Sequence, residues 1–389
     1  MKEKTGKMDS AAIVVPRIRL ALAGSVVYNR KQKKAQERFG KERGHKFMTR
    51  KQKRLTAVVL SVAVMGSSAW FSPLSTSASV PKEEQPNTAV AVWDGTADTS
   101  WYTGDKTSYD ISTAEQLAGL SEIIRTVGDE YRFDGITVNL TNDIVLNDTA
   151  DWQNWKTSAP KNIWYPIGEK GSPVMGYRPF AGCFNGNGHS IKGLYVNHRD
   201  YSGLFSYTSS AVIKDLKIEE SVVLGANEAT STGALVGVAE STYFDNCHAE
   251  NVIVAGLRET GGLVGSAKSI NAVEPFMQLT LLGFGVAVNP LIFKAVESGN
   301  AGGTYFSGCT VANSDVSAAC SWYSPPVGGI IGEYFMDGIL SNCSSWSVTA
   351  SSLDTVKYPT PHTGPCGAVC GRIEENRQVL IDGCSARDF

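Results

Sequence analysis

Hydrophobic residues recur along the carboxy-terminal half of the chain in two short patterns that alternate strictly. The first is a glycine, a small residue, two apolar residues and a glycine, and it occurs at 233–237, 261–265, 328–332 and 367–371. The second is an apolar residue with cysteine three positions later, and its copies are Phe244/Cys247, Phe306/Cys309, Leu340/Cys343 and Ile381/Cys384, preceded by Ile213/Leu216. Each copy predicts a pair of short strands bounded by turn residues.

Stacking of these copies would bury their apolar side chains and would give their backbone N–H and C=O groups hydrogen-bond partners. One copy cannot bury its apolar side, but copies stacked about 4.8 Å apart share one continuous core. Equivalent positions then form rows. One predicted core row is Ile213, Phe244, Phe306, Leu340 and Ile381, and the residue before the cysteine position is a turn former in each copy: Asp215, Asn246, Gly308, Asn342 and Gly383. We therefore predict an all-β fold, a right-handed parallel β-helix over 180–389.

Residues 93–179 have a different pattern and are predicted to cap the amino-terminal end of this solenoid. Ser112 and Glu115 have the spacing of a capping box, and apolar residues follow at helical spacing. This predicts a capping helix over 112–127 with Leu117, Leu120 and Ile124 facing the core. Strands are expected near 136–140 and 143–146, followed by a tryptophan-rich loop. A solenoid end needs such a cover because its backbone and apolar side chains are otherwise exposed.

The spacing of the glycine patterns widens between the second and third copies, which indicates an insertion near 267–303. The middle of that insertion, 276–296, is strongly apolar. One interpretation is a membrane-active segment. Pro290, Lys294 and several glycines favour the other interpretation, a helix or hairpin packed on the solenoid or on another subunit.

The amino-terminal segment predicts export. Residues 48–78 contain a cationic start, an apolar stretch from Leu55 to Phe71 and then small residues, which is typical of a signal peptide cleaved after Ala78 or after Ala69. A retained membrane anchor is the alternative. Residues 1–47 form a basic extension, interpreted as an overlong start ahead of Met48, and 79–92 are a linker.

Charge is divided unevenly along the chain. Residues 1–78 hold 17 Lys and Arg against 4 Asp and Glu, so residues 79–389 hold 19 basic and 34 acidic residues out of the totals of 36 and 38. An acidic body has no broad positive field for phosphates, so we expect no nucleic-acid partner. A membrane is expected as a partner only through the signal peptide or the insertion.

These motifs together resemble the bacterial surface proteins that carry GLUG repeats. The matching features are 164–168, the glycine-rich run from Phe180 to Leu194, the Gly-Gly-Leu-Val-Gly units and the helical segment after Ile111. The resemblance covers about 105–389 and implies a right-handed β-helix on exported proteins, often adhesins. Some relatives are IgA-cleaving metallopeptidases. The five histidines of this chain, at 45, 189, 198, 248 and 362, do not form a His-Glu-x-x-His motif.

The eight cysteines suggest disulfides in an exported protein, but four of them share one repeat position. A row of buried thiols is therefore the favoured interpretation and a disulfide framework the alternative. Cys366 and Cys370 lack a second ligand pair at metal spacing, so no metal and no cofactor are expected.

Catalytic residues are not expected. His248 should point outward if Cys247 points inward, so the two do not form a nucleophile pair. Glu219 and Glu220 are adjacent and should point to opposite faces of a strand, which would prevent them from acting as a carboxylate dyad.

Exposed aromatic residues are the remaining candidates for a binding site. Trp152, Trp155 and Trp164 are concentrated in the predicted cap, with Trp101 and Tyr102. They are interpreted either as a surface that stacks on sugar rings or as packing within the cap.

The sequence thus predicts a secreted or cell-surface, non-enzymatic adhesion or display protein whose partners are glycans or host-surface proteins. The alternatives are a carbohydrate-active β-helix enzyme, a lyase or a glycosidase, and a fragment of a larger surface protein.

Overall fold

A computed structural model describes residues 90–126, 132–172, 176–226, 231–268, 303–320, 324–335, 338–354, 364–374 and 379–389. The basic extension, the signal peptide, most of the linker and the apolar part of the insertion at 276–296 lie outside these residues. Within the described chain, no helix is long and apolar enough to cross a membrane.

The described chain is an all-β protein with one α-helix and a short 3-10 helix, and parallel sheets dominate it. The largest sheet runs in the order β1-β2-β6-β10-β13-β16-β20-β24, with further parallel strands attached to it. Its strands are β1 Ser108–Ile111, β2 Thr137–Leu140, β3 Ile144–Val145, β6 Cys183–Asn185, β7 Ser190–Lys192, β8 Tyr195–His198, β10 Val212–Gly225, β13 Tyr243–Gly256, β16 Thr304–Ser307, β17 Thr310–Cys320, β20 Gly338–Ser341, β21 Ser344–Asp354, β24 Val379–Asp382 and β25 Ser385–Arg387.

Two further parallel sheets collect the remaining strands of each repeat. One has the order β11-β14-β18-β22 and consists of Thr232–Gly233, Thr260–Gly261, Val327–Gly328 and Cys366–Gly367. The other has the order β9-β12-β15-β19-β23 and consists of Phe205–Ser209, Val236–Glu240, Val264–Lys268, Ile331–Tyr334 and Cys370–Ile373. An antiparallel pair, β4 Glu169–Ser172 and β5 Gly176–Arg178, stands apart.

The glycine pattern lies where the chain passes from the β11-β14-β18-β22 sheet into the β9-β12-β15-β19-β23 sheet. Gly233, Gly261, Gly328 and Gly367 pair in register along one sheet, and Val236, Val264, Ile331 and Cys370 pair along the next. A Cβ atom on Gly329 would lie 1.9 Å from the carbonyl oxygen of Ala368 in the next layer. The glycines are therefore required by the close approach of neighbouring backbones.

The predicted core row is confirmed by the pairing register. Ile213 pairs with Phe244, Phe244 with Phe306, Phe306 with Leu340, and Leu340 with Ile381. The rings of Phe244 and Phe306 stack with centroids 4.7 Å apart and an interplanar angle of 15°. Ile381 keeps the register but is 46% exposed, because β24 pairs with β20 on one side only among the described strands.

The turn formers beside the cysteine row are also confirmed. Every one of them has a positive φ: Asp215 52°, Asn246 52°, Gly308 63°, Asn342 53° and Gly383 60°. A second row, not predicted, bends the long strands again five positions later at Glu220, Asn251, Asn313 and Ser347, with φ between 43° and 54°. Asn, Asp and Gly tolerate this left-handed conformation best, which explains their recurrence at these corners.

The predicted helix, α1, spans Ala114–Thr126, and Leu117, Leu120 and Ile124 are buried as predicted. Its capping box differs by one residue from the predicted one. The backbone N–H of Gln116 donates to Thr113 Oγ1 at 3.3 Å, and the Gln116 side chain accepts from the backbone N–H of Ser112 at 2.8 Å. These hydrogen bonds show that Thr113 and Gln116 form the capping box. The predicted pair, Ser112 and Glu115, has the same three-residue spacing one position earlier.

Candidate functional site

The three predicted tryptophans do not form one exposed surface. Trp164 is 2% exposed, packs edge-on against Trp93 with centroids 5.6 Å apart, and donates from its indole N–H to the carbonyl oxygen of Leu204 at 3.1 Å. Trp155 is 1% exposed. Burial leaves these two rings no free face for a sugar, so stacking on a ligand is wrong for them and the packing interpretation holds. Trp152 is partly exposed, and stacking of its ring on a sugar remains a prediction.

Trp152 and Trp155 belong to a loop that lies across the outer side of the long strands. We call this loop, residues 148–158, the strap. Trp155 forms a small apolar cluster with Tyr195 and Val222, outside the main core, and Trp152 packs against the same cluster. Trp155 meets Tyr195 edge-on with centroids 6.1 Å apart. The strap is therefore held to β8 and β10 by apolar burial.

Two polar contacts extend the strap along the stack. The Thr149 hydroxyl donates to the Glu220 carboxylate at the corner of β10. At the other end, Lys156 Nζ lies 3.2 Å from Asp315 Oδ2 on β17. Because β17 lies beyond β13 in the sheet, the strap reaches across layers that do not follow each other directly in the stack.

A charged strip lies beside the strap, and it comprises Lys192, Lys217, Glu219, Glu220 and Glu250. Lys217 Nζ lies 2.5 Å from Glu219 Oε1 and 2.6 Å from Glu250 Oε2. Lys192 Nζ lies 2.8 Å from Glu220 Oε2. Glu219 and Glu250 occupy in-register positions on β10 and β13, so Lys217 bridges two carboxylates from successive layers.

The expectation that Glu219 and Glu220 point to opposite faces is wrong. Glu220 has a φ of 43°, so the strand turns a corner at this residue and alternation is interrupted. Both carboxylates reach the outer surface, where each is paired with a different lysine.

The surroundings of Lys217 and Glu220 shift the pKa of each group in the direction that favours its charged form. Partial burial of Lys217 opposes its charge, but the hydrogen bonds and charges of Glu219 and Glu250 outweigh burial and raise the pKa of the ammonium. Burial likewise opposes the charge of Glu220, but hydrogen bonds from Lys192 and Thr149 lower the pKa of this carboxylate. Lys217 and Glu220 are therefore suited to fixed hydrogen bonding with a ligand, since both shifts favour the charged form near neutral pH.

His248 lies at the edge of the strip and points outward, as predicted from the inward position of Cys247. Its ring nitrogens lie 2.8 Å from Thr310 Oγ1 and 2.9 Å from Asn246 Oδ1. Burial, and next the positive charge of Lys217, lower the pKa of His248 below 6.5. His189 lies 3.2 Å from Asp143 Oδ1 at a surface corner.

The lowered pKa of His248 predicts a loss of stability in mild acid. The unfolded chain binds a proton near pH 6.5, and the folded protein binds it only at lower pH. The contribution is therefore fully present above pH 6.5, and it is lost as the pH falls from that value through the lower pKa of the folded protein. We expect His248→Gln to reduce this loss, measured as the change in urea midpoint between neutral and mildly acidic buffers. An unchanged pH dependence in the variant would contradict the assignment.

An exposed aromatic residue that sequence analysis did not single out lies near α1. Tyr165 is 42% exposed, and its hydroxyl donates to Glu169 Oε1 at 2.6 Å. The guanidinium of Arg125 lies over its ring, 5.4 Å from the centroid. Desolvation, and next the hydrogen bond to Glu169, raise the pKa of Tyr165 to about 12, so its hydroxyl stays protonated at neutral pH.

Neither strip nor strap forms a metal site. Within the described residues, no group of three or more His, Cys, Asp or Glu side chains has an arrangement that could hold a metal ion.

Comparisons with known proteins return one structural similarity. No family model matches the sequence, and no curated protein matches it. Among solved structures, the chain is similar to one described as a "putative immunoglobulin A1 protease" from Bacteroides ovatus, with 18% sequence identity and a TM-score of 0.43. The alignment covers 72% of this chain and 67% of that chain. A similarity at this level carries no argument about the activity of this chain.

Proposed function

We propose that this chain is an exported bacterial surface protein whose repeats form a right-handed parallel β-helix, and that it serves in adhesion or structural display. The observation that supports the proposal best is the row-by-row register of three parallel sheets from β9 to β25. Each later repeat adds two strands to the largest sheet and one strand to each of the other two, which is the arrangement expected of a chain coiling around a common core.

The strap and the charged strip are the surface that we propose for contact with a partner. Trp152 offers a partly exposed aromatic ring, and the strip offers ammonium and carboxylate groups held by mutual ion pairs. Sugar rings present apolar faces bordered by hydroxyls, and an aromatic ring next to fixed charged groups complements both features. A surface glycan is therefore the class of ligand that we propose.

Glycan-array binding by purified residues 79–389 tests this assignment. We expect saturable binding that weakens about 10-fold in Trp152→Ala, since loss of an aromatic contact of this kind removes about 1.4 kcal/mol. Tyr165→Ala is the matched control, because it removes another exposed aromatic ring, whose contacts are with Arg125, Glu169 and His198. Binding that is lost in the control and kept in Trp152→Ala would contradict the proposed surface. The absence of binding by folded protein would contradict the glycan proposal.

A carbohydrate-active enzyme is the second candidate, and the charged strip is the observation that favours it. Such an enzyme requires carboxylates and a cation on one face, and Glu219, Glu250 and Lys217 provide them across two layers. Shortened products from a bound polysaccharide, absent with Glu250→Gln, would favour this candidate over adhesion. Stable binding without products would favour adhesion.

A further inference from the structure

Four cysteines form one continuous row through the largest sheet. The register that pairs His248 with Thr310, Thr310 with Ser344, and Ser344 with Ser385 places the preceding cysteines side by side. The row is Cys247, Cys309, Cys343 and Cys384. None of the eight cysteines, all of which lie in described segments, is in a disulfide.

The geometry of this row is compatible with disulfide formation between neighbours. Hydrogen-bonded strands lie about 4.8 Å apart, which falls within the range of about 4.4–6.8 Å between the Cα atoms of a disulfide. The backbone N–H of Ser385 donates to the carbonyl oxygen of Cys343 at 3.0 Å, which sets the two strands in register beside the thiols. The Cys343 thiol also interacts with the thiols of both Cys309 and Cys384. No large movement is needed to bring neighbouring sulfur atoms together.

The pairs in the row differ in how freely they can close. A disulfide requires Cβ atoms about 3.5–4.5 Å apart, slightly less than the spacing of about 4.8 Å between neighbouring strands, so closure needs a small local shift of one strand toward the other. β17, which follows Cys309, is hydrogen-bonded to β13 on one side and to β21 on the other. A shift toward either neighbour therefore strains the hydrogen bonds on the opposite side. β25, which follows Cys384, pairs with β21 alone among the described strands.

Access to solvent also distinguishes the pair of Cys343 and Cys384 from the other pairs of the row. Cys247, Cys309 and Cys343 are buried, whereas Cys384 is partly exposed. An oxidant can reach Cys384 without opening the core. Cys366 is the exposed cysteine of the chain, but it lies in β22, in a different sheet from the row.

We propose that Cys343 and Cys384 are a disulfide-forming pair, oxidised by a low-molecular-weight disulfide. The Cys384 thiolate attacks the oxidant disulfide and releases one thiolate, giving a mixed disulfide on Cys384. Cys343 then attacks the Cys384 sulfur and releases the second thiolate. Two protein thiols are oxidised to one disulfide, and the two protons that they lose are taken up by the two released thiolates, so that the oxidant is reduced to two thiols.

The surroundings of both thiols make this reaction depend on pH. The thiol–thiol hydrogen bond, and next burial, raise the pKa of Cys384, and the hydrogen bond with Cys309 comes first among the causes that raise the pKa of Cys343. Both thiols stay protonated at neutral pH, and the thiolate is the reactive form. Oxidation should therefore be faster in mildly alkaline buffer than at neutral pH.

The experiment is peptide mapping of the reduced, folded full chain after incubation with oxidised glutathione, without reduction before proteolysis. We expect a cross-linked peptide pair containing Cys343 and Cys384 that has lost two hydrogens and separates on reduction. Cys384→Ser should abolish this pair, whereas Cys320→Ser, which removes a buried cysteine outside the row, should keep it. Circular dichroism of each protein before oxidation verifies that it is folded.

Three results would overturn the proposal. Cross-links between Cys247 and Cys309 or between Cys309 and Cys343 in place of the expected pair would show that one-sided strand pairing does not decide the partner. Glutathione attached to Cys366 with no internal cross-link would show that access alone decides reactivity. A fully reduced row after prolonged oxidation of the wild-type protein would show that the two sulfur atoms cannot meet.

Discussion

Phe306→Ala is expected to lower the free energy of unfolding by about 3–5 kcal/mol, because truncation of a buried phenylalanine removes its burial and leaves a cavity. Phe306 is fully buried in the core row. Its ring stacks on Phe244 and meets Tyr334 edge-on with centroids 6.2 Å apart. The cavity would therefore open between layers and would weaken contacts on both sides. Equilibrium urea denaturation measures the change.

Leu353→Ala is the matched control for this prediction. Leu353 lies on β21 in the same sheet but is 55% exposed, so its truncation should change stability by less than about 1 kcal/mol. A loss below about 1 kcal/mol for Phe306→Ala would contradict the continuous core that the stacked layers imply.

Gly329→Ala is expected to have the other large effect, a loss at or above the upper end of the about 1–3 kcal/mol typical of overpacking, because overpacking between backbones cannot be relieved by a rotamer change. The added Cβ atom would lie 1.9 Å from the carbonyl oxygen of Ala368. That oxygen belongs to the next layer, so the two layers would have to separate. The yield of soluble protein and its urea midpoint measure the effect.

Gly308→Asn provides the control for the glycine prediction. Gly308 has a φ of 63°, but a Cβ atom there would meet no heavy atom closer than 3.9 Å. Asn246 and Asn342 already occupy the neighbouring positions of the same row with φ of 52° and 53°. A change of about 1 kcal/mol or less is expected. Equal losses for the two variants would show that glycine is needed for backbone freedom rather than for close approach.

The pairing register could be predicted from the sequence because the repeat carries it. The core row and the positive-φ row both follow from aligning the two short motifs, and the structure confirms them. A side chain that recurs at one position of every repeat indicates a shared environment. The strap, residues 148–158, has no repeat and no periodicity, so nothing in the local sequence distinguishes buried Trp155 from partly exposed Trp152.

The charged strip was missed for a different reason. Carboxylates were sought next to each other along the chain, whereas Glu219 and Glu250 become neighbours through the pairing of layers. The sequence does indicate that Glu219 and Glu250 are neighbours in the sheet, since they are the same number of positions apart as the paired core residues Ile213 and Phe244. The corner at Glu220 was hidden because glutamate rarely adopts a positive φ. Residues 269–302, most of the predicted insertion, lie outside the described residues.

The strap has a mechanical consequence for the molecule. Layers that contact only their nearest neighbours can be peeled away one at a time by a pulling force. The contact between Lys156 and Asp315 joins a loop of the first layers to β17, two strands further along the sheet than β10. Tension applied along the stack would therefore detach β25 and β21 before it reaches the region clamped by the strap. Since the ion pair is exposed and contributes at most about 1 kcal/mol, most of the resistance beneath the strap would come from the apolar packing of Trp155 with Val222 and Ile253.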